Sequence, residues 1–325
     1  MGEQELIRRF RENPPGHPWL KVGPGQDCAI LAWEPGRDLA YKIDQVVEGV
    51  HFTLAGPEAA APRQIGWKAM AKACSDIAAV GFRPVAATVG VNLRRELEDA
   101  WALELYEGLV ACCRRFEFGL AGGDLTSGGA AVTVCVSLIG EGPSAAAGGG
   151  AWLRSGARPG DILVVTGELG GSRGGKHLDF LPRLEEAGKL RELAGAAVHA
   201  CMDITDGLAR DLKHLCDESR CGAELVESAL PGSLVARWAR DGKSTLEHVL
   251  GDGEDFELLA AVEPGAAEEL LAAWDHATPL TRIGEVLTEG DGRRLKRPDG
   301  SCIPLPDLGY EHHTASDKGV GPEPK

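Results

Sequence analysis

Six aspartates at the ends of apolar segments, or inside them, constrain the fold of this 325-residue chain more than any other feature. Five interrupt or terminate strand-like or helix-like runs, and the sixth lies in a Gly-rich turn. Burying an unpaired carboxylate is costly, so each must either form a local turn or cap or face a positive partner. The six are spread over both halves of the chain: Asp27, Asp44, Asp76, Asp124, Asp203 and Asp206.

One such aspartate is usually a turn or cap residue, and Asp206 or Thr205 is suited to cap the helix predicted after Gly207. That leaves Asp203, in the same segment MDITDG, without a local role. Too few basic residues flank the six aspartates to pair each one. Mg²⁺ prefers carboxylate oxygen and water as ligands, and it bridges to phosphates. We therefore predict that these aspartates converge on hydrated Mg²⁺.

The composition excludes several classes of partner. A formal net charge of −15, from 49 acidic and 34 basic residues, argues against nucleic acid or an anionic membrane as the main partner. No apolar run approaches the ~20 residues of a membrane helix, and the N-terminal MGEQELIRRF lacks a signal-peptide core. Nine cysteines without a CxxC pair predict free thiols in a reducing cytoplasm.

Strand-like and helix-like runs mix without strict alternation, which predicts an α+β fold of two domains. We place an N-terminal domain at residues 1–142, an Ala/Gly-rich linker at 143–151, a C-terminal α+β domain at 152–313 and a disordered tail at 314–325. A short helix is expected over Glu3 to Glu12. Another is predicted for PRQIGWKAMAKACSDIAAV, where apolar or small residues recur at helical spacing: Ile65, Ala69, Met70, Ala73 and Ile77.

The segment GGSRGGKH at 170–177 comes close to a phosphate-binding loop, but His177 stands where a Ser or Thr must hold Mg²⁺. We interpret it as a Gly-rich turn. Such turns, and the N-terminus of the helix after Gly207, can hold phosphate oxygens. Arg154 is a candidate phosphate clamp or, by position alone, a solvated linker residue. A lone His51 is more often a packed or surface residue than a catalyst.

As an ordered set, several of these segments carry a family resemblance. They are GQDCAI, DQVVEGVHF, KAMAKACSDIAAVGFRP, AGGDLTSG, RSGARPGDILVVTGELGGS, HLDFLPRLEEAGKL, MDITDGLARDL, GEDFELL and GYEHH. From about residue 4 to residue 313 the chain resembles the thiamine-monophosphate kinases, within the aminoimidazole-ribonucleotide-synthetase superfamily. The resemblance implies a homodimer paired through the N-terminal sheets, with ATP and several Mg²⁺ ions between the two domains. It also implies direct γ-phosphoryl transfer to thiamine monophosphate, without a general base.

The matching positions imply a role for each site residue. The implied metal ligands are Asp27, Asp44, Asp76, Asp124, Asp203 and Asp206. The implied ATP contacts are Gly123, Asp124, Arg154 and Thr205, and the implied substrate contacts are His51, Glu254 and Tyr310.

The chain departs from the family pattern at Gln26, Lys42, Ile43, Ala73 and Asp252. One hypothesis is that the ammonium of Lys42 replaces one Mg²⁺. The departures also leave open a diverged paralogue that acts on another small phosphorylated or carboxylated acceptor, or that binds nucleotide without turnover. A maturation factor of the same superfamily is a third alternative, although the hydrogenase-maturation relatives need a C-terminal cysteine and this chain ends in GPEPK.

Overall fold

Two β-sheets, one in each half of the chain, organise the structure. This computed structural model describes residues 20–22 and 26–311. The predicted N-terminal helix and tail, together with His312 and His313, lie outside the described residues.

Within the described residues the first sheet has six strands, in the order β1-β2-β3-β6-β4-β5. Neighbouring strands are antiparallel except for the parallel pair β4 and β5. The strands are β1 Leu20–Val22, β2 Ala29–Ala32, β3 Arg37–Val47, β4 Arg83–Arg94, β5 Gly119–Gly129 and β6 Thr133–Pro143. Two helices belong to this half, α1 Pro62–Ala79 and α2 Asp99–Arg115.

The first core forms between this sheet and α1. Along β6, buried residues alternate with half-exposed ones, as expected for a strand with one face on a core. Its buried side chains, Val134, Val136 and Leu138, belong to the same apolar cluster as Ile65 and Ile77 of α1. Helix α1 therefore follows the predicted apolar spacing, and the residues that set that spacing are buried.

The second sheet has seven strands among the described residues, in the order β13-β12-β9-β11-β7-β10-β8, and β12 with β9 is its parallel pair. The strands are β7 Ile162–Thr166, β8 Val198–Asp203, β9 Cys221–Val226, β10 Leu258–Val262, β11 Leu280–Thr288, β12 Arg293–Lys296 and β13 Cys302–Pro304. This mixture of sheets and helices confirms the predicted α+β class.

Helices cover both faces of the second sheet, which explains why the first four residues of β7 are all apolar. Leu163 and Val165 pack in one core with Leu212 of α5, whereas Ile162 and Val164 pack in another with Leu190 of α4. The helices are α3 Lys176–Asp179, α4 Leu184–Leu193, α5 Leu208–Ser219, α6 Leu234–Trp238, α7 Thr245–Gly251 and α8 Pro264–Ala273. No helix among the described residues has both the length and the apolar character that a membrane span requires.

The two halves share a core where α1 ends. Ala78, Ala79 and Trp152 belong to the apolar cluster that contains β7 and β10 side chains. The segment between the halves includes a 3₁₀ turn at Ala145–Ala147. Arg191 of α4 donates a 2.9 Å hydrogen bond to the Gly150 carbonyl, which ties this segment to the second half.

Helices α1 and α2 approach each other closely because each has a glycine at the contact. A Cβ at Gly108 would lie 2.0 Å from the Arg63 carbonyl oxygen, and one at Gly66 would lie 2.0 Å from that of Leu105. Gly188 in α4 has nothing within 4 Å of such a Cβ. The first two glycines are therefore required by packing and the third is not.

We predict that Gly108→Ala lowers the free energy of unfolding by about 1–3 kcal/mol, because backbone atoms on both helices must move apart. The matched control Gly188→Ala should raise it by about 0.4–1 kcal/mol, since an open helical site gains only from reduced chain entropy. Urea unfolding measures both. A Gly108→Ala protein as stable as the wild type would contradict the close helix contact.

Candidate functional site

A cleft of about 780 Å³ lies between the two halves. Its walls come from β3 and α1 on one side, and from the ends of β8, α7 and the loop that follows α7 on the other. The structure brings nine of the predicted site residues to this cleft: Asp44, His51, Asp76, Arg154, Asp203, Thr205, Asp206, Glu254 and Tyr310.

Three buried carboxylates meet beside the cleft. Asp27 precedes β2, Asp76 lies in the last turn of α1, and Asp203 is the final residue of β8. Each offers one oxygen, and these oxygens all lie within 4.8 Å of one another. The Ser75 hydroxyl donates a 2.5 Å hydrogen bond to Asp203 Oδ2. We call Asp27, Asp76 and Asp203 the carboxylate triad.

The triad is electrostatically suited to a divalent cation. Burial, followed by repulsion from Asp27, raises the pKa of Asp203 to about 7. Burial also raises the pKa of Asp76 well above its ordinary value, against the opposite effect of Lys42. A cation among these groups favours their charged forms. Hard carboxylate oxygens are the donors that Mg²⁺ prefers, so the residues fit that ion.

Arg154 joins the two halves at the triad. Its guanidinium donates to both oxygens of Asp27, with Nε 3.0 Å from Oδ2 and Nη2 2.8 Å from Oδ1. Its backbone N–H donates to Gln26 Oε1 at 2.7 Å. The interpretation of Arg154 as a solvated linker residue is therefore wrong, and the side chain lies at the cleft beside the carboxylates.

The Asp44 carboxylate lies beside two ammonium groups and outside the triad. Lys72 Nζ is 2.9 Å from Asp44 Oδ1, and Lys42 Nζ is 3.9 Å from Oδ2. Lys42 Nζ also lies 2.9 Å from Asp76 Oδ1. Although burial acts to raise it, these two lysines lower the pKa of Asp44 below its ordinary value.

The corner between β8 and α5 presents Thr205 and Asp206 to the cleft. Gly207 occupies the N-cap position with φ 111°, and no side chain caps the helix there. The expected cap by Thr205 or Asp206 is therefore wrong. Instead, Asp211 reaches back from α5, and its Oδ2 accepts from the backbone N–H groups of Thr205 at 2.8 Å and Asp206 at 2.9 Å.

A buried lysine positions two of the predicted substrate residues. Lys68 Nζ lies 2.6 Å from Glu254 Oε1 and donates to the His51 carbonyl at 2.7 Å. Burial lowers the pKa of Lys68 to about 8. Burial, with Lys72 as the next cause, lowers the pKa of His51 to about 4, so its imidazole is neutral at pH 7.

The loop after α7 forms part of the cleft wall that the second half of the chain contributes. Glu254 adopts φ 65°, a left-handed conformation that non-glycine residues seldom take, and its N–H donates to the Thr205 carbonyl at 2.7 Å. Asp252 Oδ2 accepts from the Gly171 N–H at 2.8 Å and lies 2.7 Å from His248 Nδ1. The backbone N–H of Tyr310 donates to the Asp206 carbonyl at 2.9 Å, which brings the C-terminal segment to the cleft.

Gly123 and Asp124 are not brought into the cleft of a single chain. The segment AGGDLTSG forms the edge strand β5 rather than a turn, and both residues are exposed on it. They pair in parallel with Val89 and Gly90 of β4. The predicted turn is wrong because backbone pairing with β4 compensates for the low strand propensity of the glycines.

The near-match to a phosphate-binding loop has another use in the fold. Lys176 Nζ lies 2.7 Å from Glu257 Oε1, and Arg183 pairs with the same buried carboxylate. The Gly170 N–H donates to the Asp255 carboxylate at 2.9 Å. The segment contains a 3₁₀ turn at Ser172–Gly174, which agrees with the predicted Gly-rich turn, and α3 begins at its Lys176.

Four residues have roles at the cleft that the sequence did not predict: Lys68, Lys72, Ser75 and Asp211. One signal was available: Lys68, Lys72 and Asp76 recur every four residues on a helix whose other residues are mostly apolar or small. That spacing predicts a single polar row on α1. Asp211 gave no comparable signal, because an acidic residue in the first turn of a helix is common.

We predict that Asp211→Ala lowers the free energy of unfolding by about 2–4 kcal/mol, because it removes the buried carboxylate that accepts from two backbone N–H groups. The matched control is Asp217→Ala, on the exposed side of the same helix. The control should change stability by no more than about 0.5 kcal/mol. Thermal or urea unfolding distinguishes them, and equal small effects would show that the corner does not need Asp211.

Comparison with known proteins places the chain among relatives of defined activity. The family models for AIR synthase related proteins match it, the N-terminal domain at residues 25–142 and the C-terminal domain at 158–296. A solved structure of AaThiL complexed with AMPPCP and TMP has a TM-score of 0.78 at 27% identity, covering 96% of this chain and 97% of that one. Hydrogenase maturation proteins also match, but at 18–24% identity they show the shared fold alone.

Two curated relatives share sequence over almost the whole chain. The thiamine-monophosphate kinase of Salmonella typhimurium is 32% identical over 337 residues, covering 96% of this chain and 98% of that protein. The thiamine-monophosphate kinase of Rhodopirellula baltica is 37% identical over 296 residues, covering 88% of this chain and 89% of that protein. This agreement over most of both sequences shows that the chain belongs to the thiamine-monophosphate kinase family.

Proposed function

We propose that this protein transfers the γ-phosphoryl group of ATP to the phosphate of thiamine monophosphate, giving thiamine diphosphate and ADP. The observation that carries the proposal is the carboxylate triad, which draws acids from both halves to one cleft. The family relatives are named for this reaction, and a structural neighbour binds an ATP analogue and TMP in a chain of the same fold.

The triad would hold Mg²⁺, with Asp206 as a further ligand from the corner before α5. When bound, the ion would supply positive charge that offsets the negative charge of the phosphate groups during transfer. Arg154 and Thr205 are then placed to contact the nucleotide, because both line the cleft beside the triad. The guanidinium of Arg154 has planar N–H donors that suit phosphate oxygens.

The acceptor side needs positioning rather than proton removal. A phosphate oxygen already carries negative charge near pH 7, so it can attack without a general base. We propose His51, Glu254 and Tyr310 as substrate contacts. Because its pKa is lowered, His51 serves as a neutral hydrogen-bonding group. Lys68 contacts both the His51 carbonyl and the Glu254 carboxylate, and so fixes their relative positions.

We also propose that two chains pair through their N-terminal sheets. On β3, Tyr41 and Ile43 are 51% and 66% exposed, and Leu125 on the edge strand β5 is 67% exposed. Within the described residues β5 has no strand on its outer side, and an apolar sheet face beside such an edge is suited to a second copy. Gly123 and Asp124 are exposed on β5 in a single chain, and such a dimer would place a second chain against this strand. Their predicted roles depend on that pairing.

The domain boundaries and the cellular compartment are also proposals. We propose domains at 1–142 and 152–313 with a linker at 143–151. All nine cysteines are free thiols, which favours a reducing compartment such as the cytoplasm.

The purified full-length protein should convert thiamine monophosphate to thiamine diphosphate with Mg-ATP. Asp203→Asn should lower that rate by about 100-fold or more, because metal-held charge stabilisation is worth several kcal/mol. Asp299→Asn, in an exposed turn, is the matched control and should retain full activity. Chromatographic separation of the thiamine phosphates measures the product.

Two outcomes would count against this function. An ATP-dependent rise in melting temperature without product would favour a diverged paralogue or a nucleotide-binding protein without turnover. Full activity in Asp203→Asn would separate the reaction from the carboxylate triad.

For the dimer, light scattering should give twice the chain mass of 34.3 kDa. Ile43→Lys should shift the protein toward the single-chain mass, because a buried unpaired ammonium opposes association. Leu103→Lys introduces the same change on exposed α2 and should leave the dimer intact. A wild type of single-chain mass at micromolar concentration would overturn pairing through this face.

A further inference from the structure

Two lysines enter the acidic region of the cleft, and Lys42 lies between two carboxylates. Its Nζ is 2.9 Å from Asp76 Oδ1 and 3.9 Å from Asp44 Oδ2. The Lys42 side chain is 23% exposed and lines the cleft. A single ammonium therefore spans a carboxylate of the triad and one outside it.

The backbone determines this arrangement. Lys42 and Asp44 alternate along β3 with exposed neighbours, so both point toward α1. Lys72 and Asp76 are four residues apart on α1, so both lie on the helix face that meets them. Two strand residues and two helix residues thus form a chain of alternating charge, in the order Lys72, Asp44, Lys42, Asp76.

The ammonium occupies the space that a cation shared by Asp44 and Asp76 would need. Mg²⁺ binds carboxylate oxygens at about 2.0–2.1 Å and requires near-octahedral space for its other ligands. Lys42 Nζ already lies at hydrogen-bond distance from Asp76 Oδ1, and a divalent ion in the same gap would repel it. The carboxylates of Asp44 and Asp76 cannot hold both cations there.

We infer that Lys42 acts as a built-in cation in place of a divalent ion between Asp44 and Asp76. Divalent metal then binds at the triad, and Asp44 is neutralised by Lys42 and Lys72. This inference rests on the proposed function, since it assigns the charge balance of the same nucleotide cleft. An ammonium can donate three hydrogen bonds, and the contact with Asp76 accounts for one, so Lys42 can also face phosphate oxygens.

The test counts Mn²⁺ ions bound per chain, by electron paramagnetic resonance of the free ion, with Mn²⁺ alone and with Mn²⁺ plus a non-hydrolysable ATP analogue. Lys42→Ser should bind one more ion than the wild type, because Asp44 and Asp76 become available together. The matched control is Lys243→Ser, which removes the same charge from the rim of the same cleft. The control should bind the wild-type number.

Equal counts in wild type and Lys42→Ser would overturn the inference. An added ion in both variants would also overturn it, because the gain would then follow from lost positive charge alone. Asp44→Asn in the wild-type background gives a test that does not depend on the folding of Lys42→Ser. It should leave the count unchanged, and the loss of one ion would show that Asp44 holds metal in the native protein.

The metal count is independent of turnover, so its result and that of the thiamine diphosphate assay can differ. A protein that makes no thiamine diphosphate but gains an ion on Lys42→Ser would refute the proposed reaction and retain the built-in cation. Product formation together with equal ion counts would support the proposed reaction and refute the role of Lys42 as a built-in cation.

Discussion

The burial of several carboxylates in one place is the constraint on which the rest of this structure depends. Like charges in a poorly solvated region repel one another, and the cost of desolvation is added to that repulsion. Each acid of the triad has a partner from another part of the chain: Arg154 for Asp27, Lys42 for Asp76 and Ser75 for Asp203. These pairings require the turns and helix ends of the cleft to lie where the partner side chains can reach the three acids.

Helix α1 connects this charge arrangement to the packing of both halves. Its apolar side chains fill the first core, and its last turn enters a core of the second half through Ala78 and Ala79. Its polar row carries Lys68 to Glu254, Lys72 to Asp44 and Asp76 to the triad. A rotation of this helix would disturb the packing and the cleft together, because the two sets of side chains share one backbone.

Much of the fold was predictable, because it depends on local periodicity. The apolar spacing of α1 and the uninterrupted apolar run of β7 indicate their elements directly. The convergence of the aspartates was predictable for a different reason: buried acids from distant segments need a shared counter-charge. Three of the six do meet in the triad, and Asp44 and Asp206 line the adjoining cleft.

The structural features that the sequence did not predict depend on contacts between residues that are distant in sequence. The Gly-rich β5 is a strand because β4 offers it a parallel partner, and no local propensity indicates that pairing. Asp211 supports the corner before its own helix, where a residue of the corner itself was expected. The Lys42–Asp44–Lys72 series requires β3 and α1 to be placed face to face, which only the tertiary fold determines.

The bidentate pair between Asp27 and Arg154 has a consequence for assembly. Asp27 comes from the first half and Arg154 from the start of the second, so the carboxylate is oriented only after the halves have docked. A fragment containing either half alone has an incomplete triad. Ligand binding at the triad therefore depends on the folding and docking of both halves. A ligand that binds the completed triad shifts the equilibrium toward the chain in which the halves are docked.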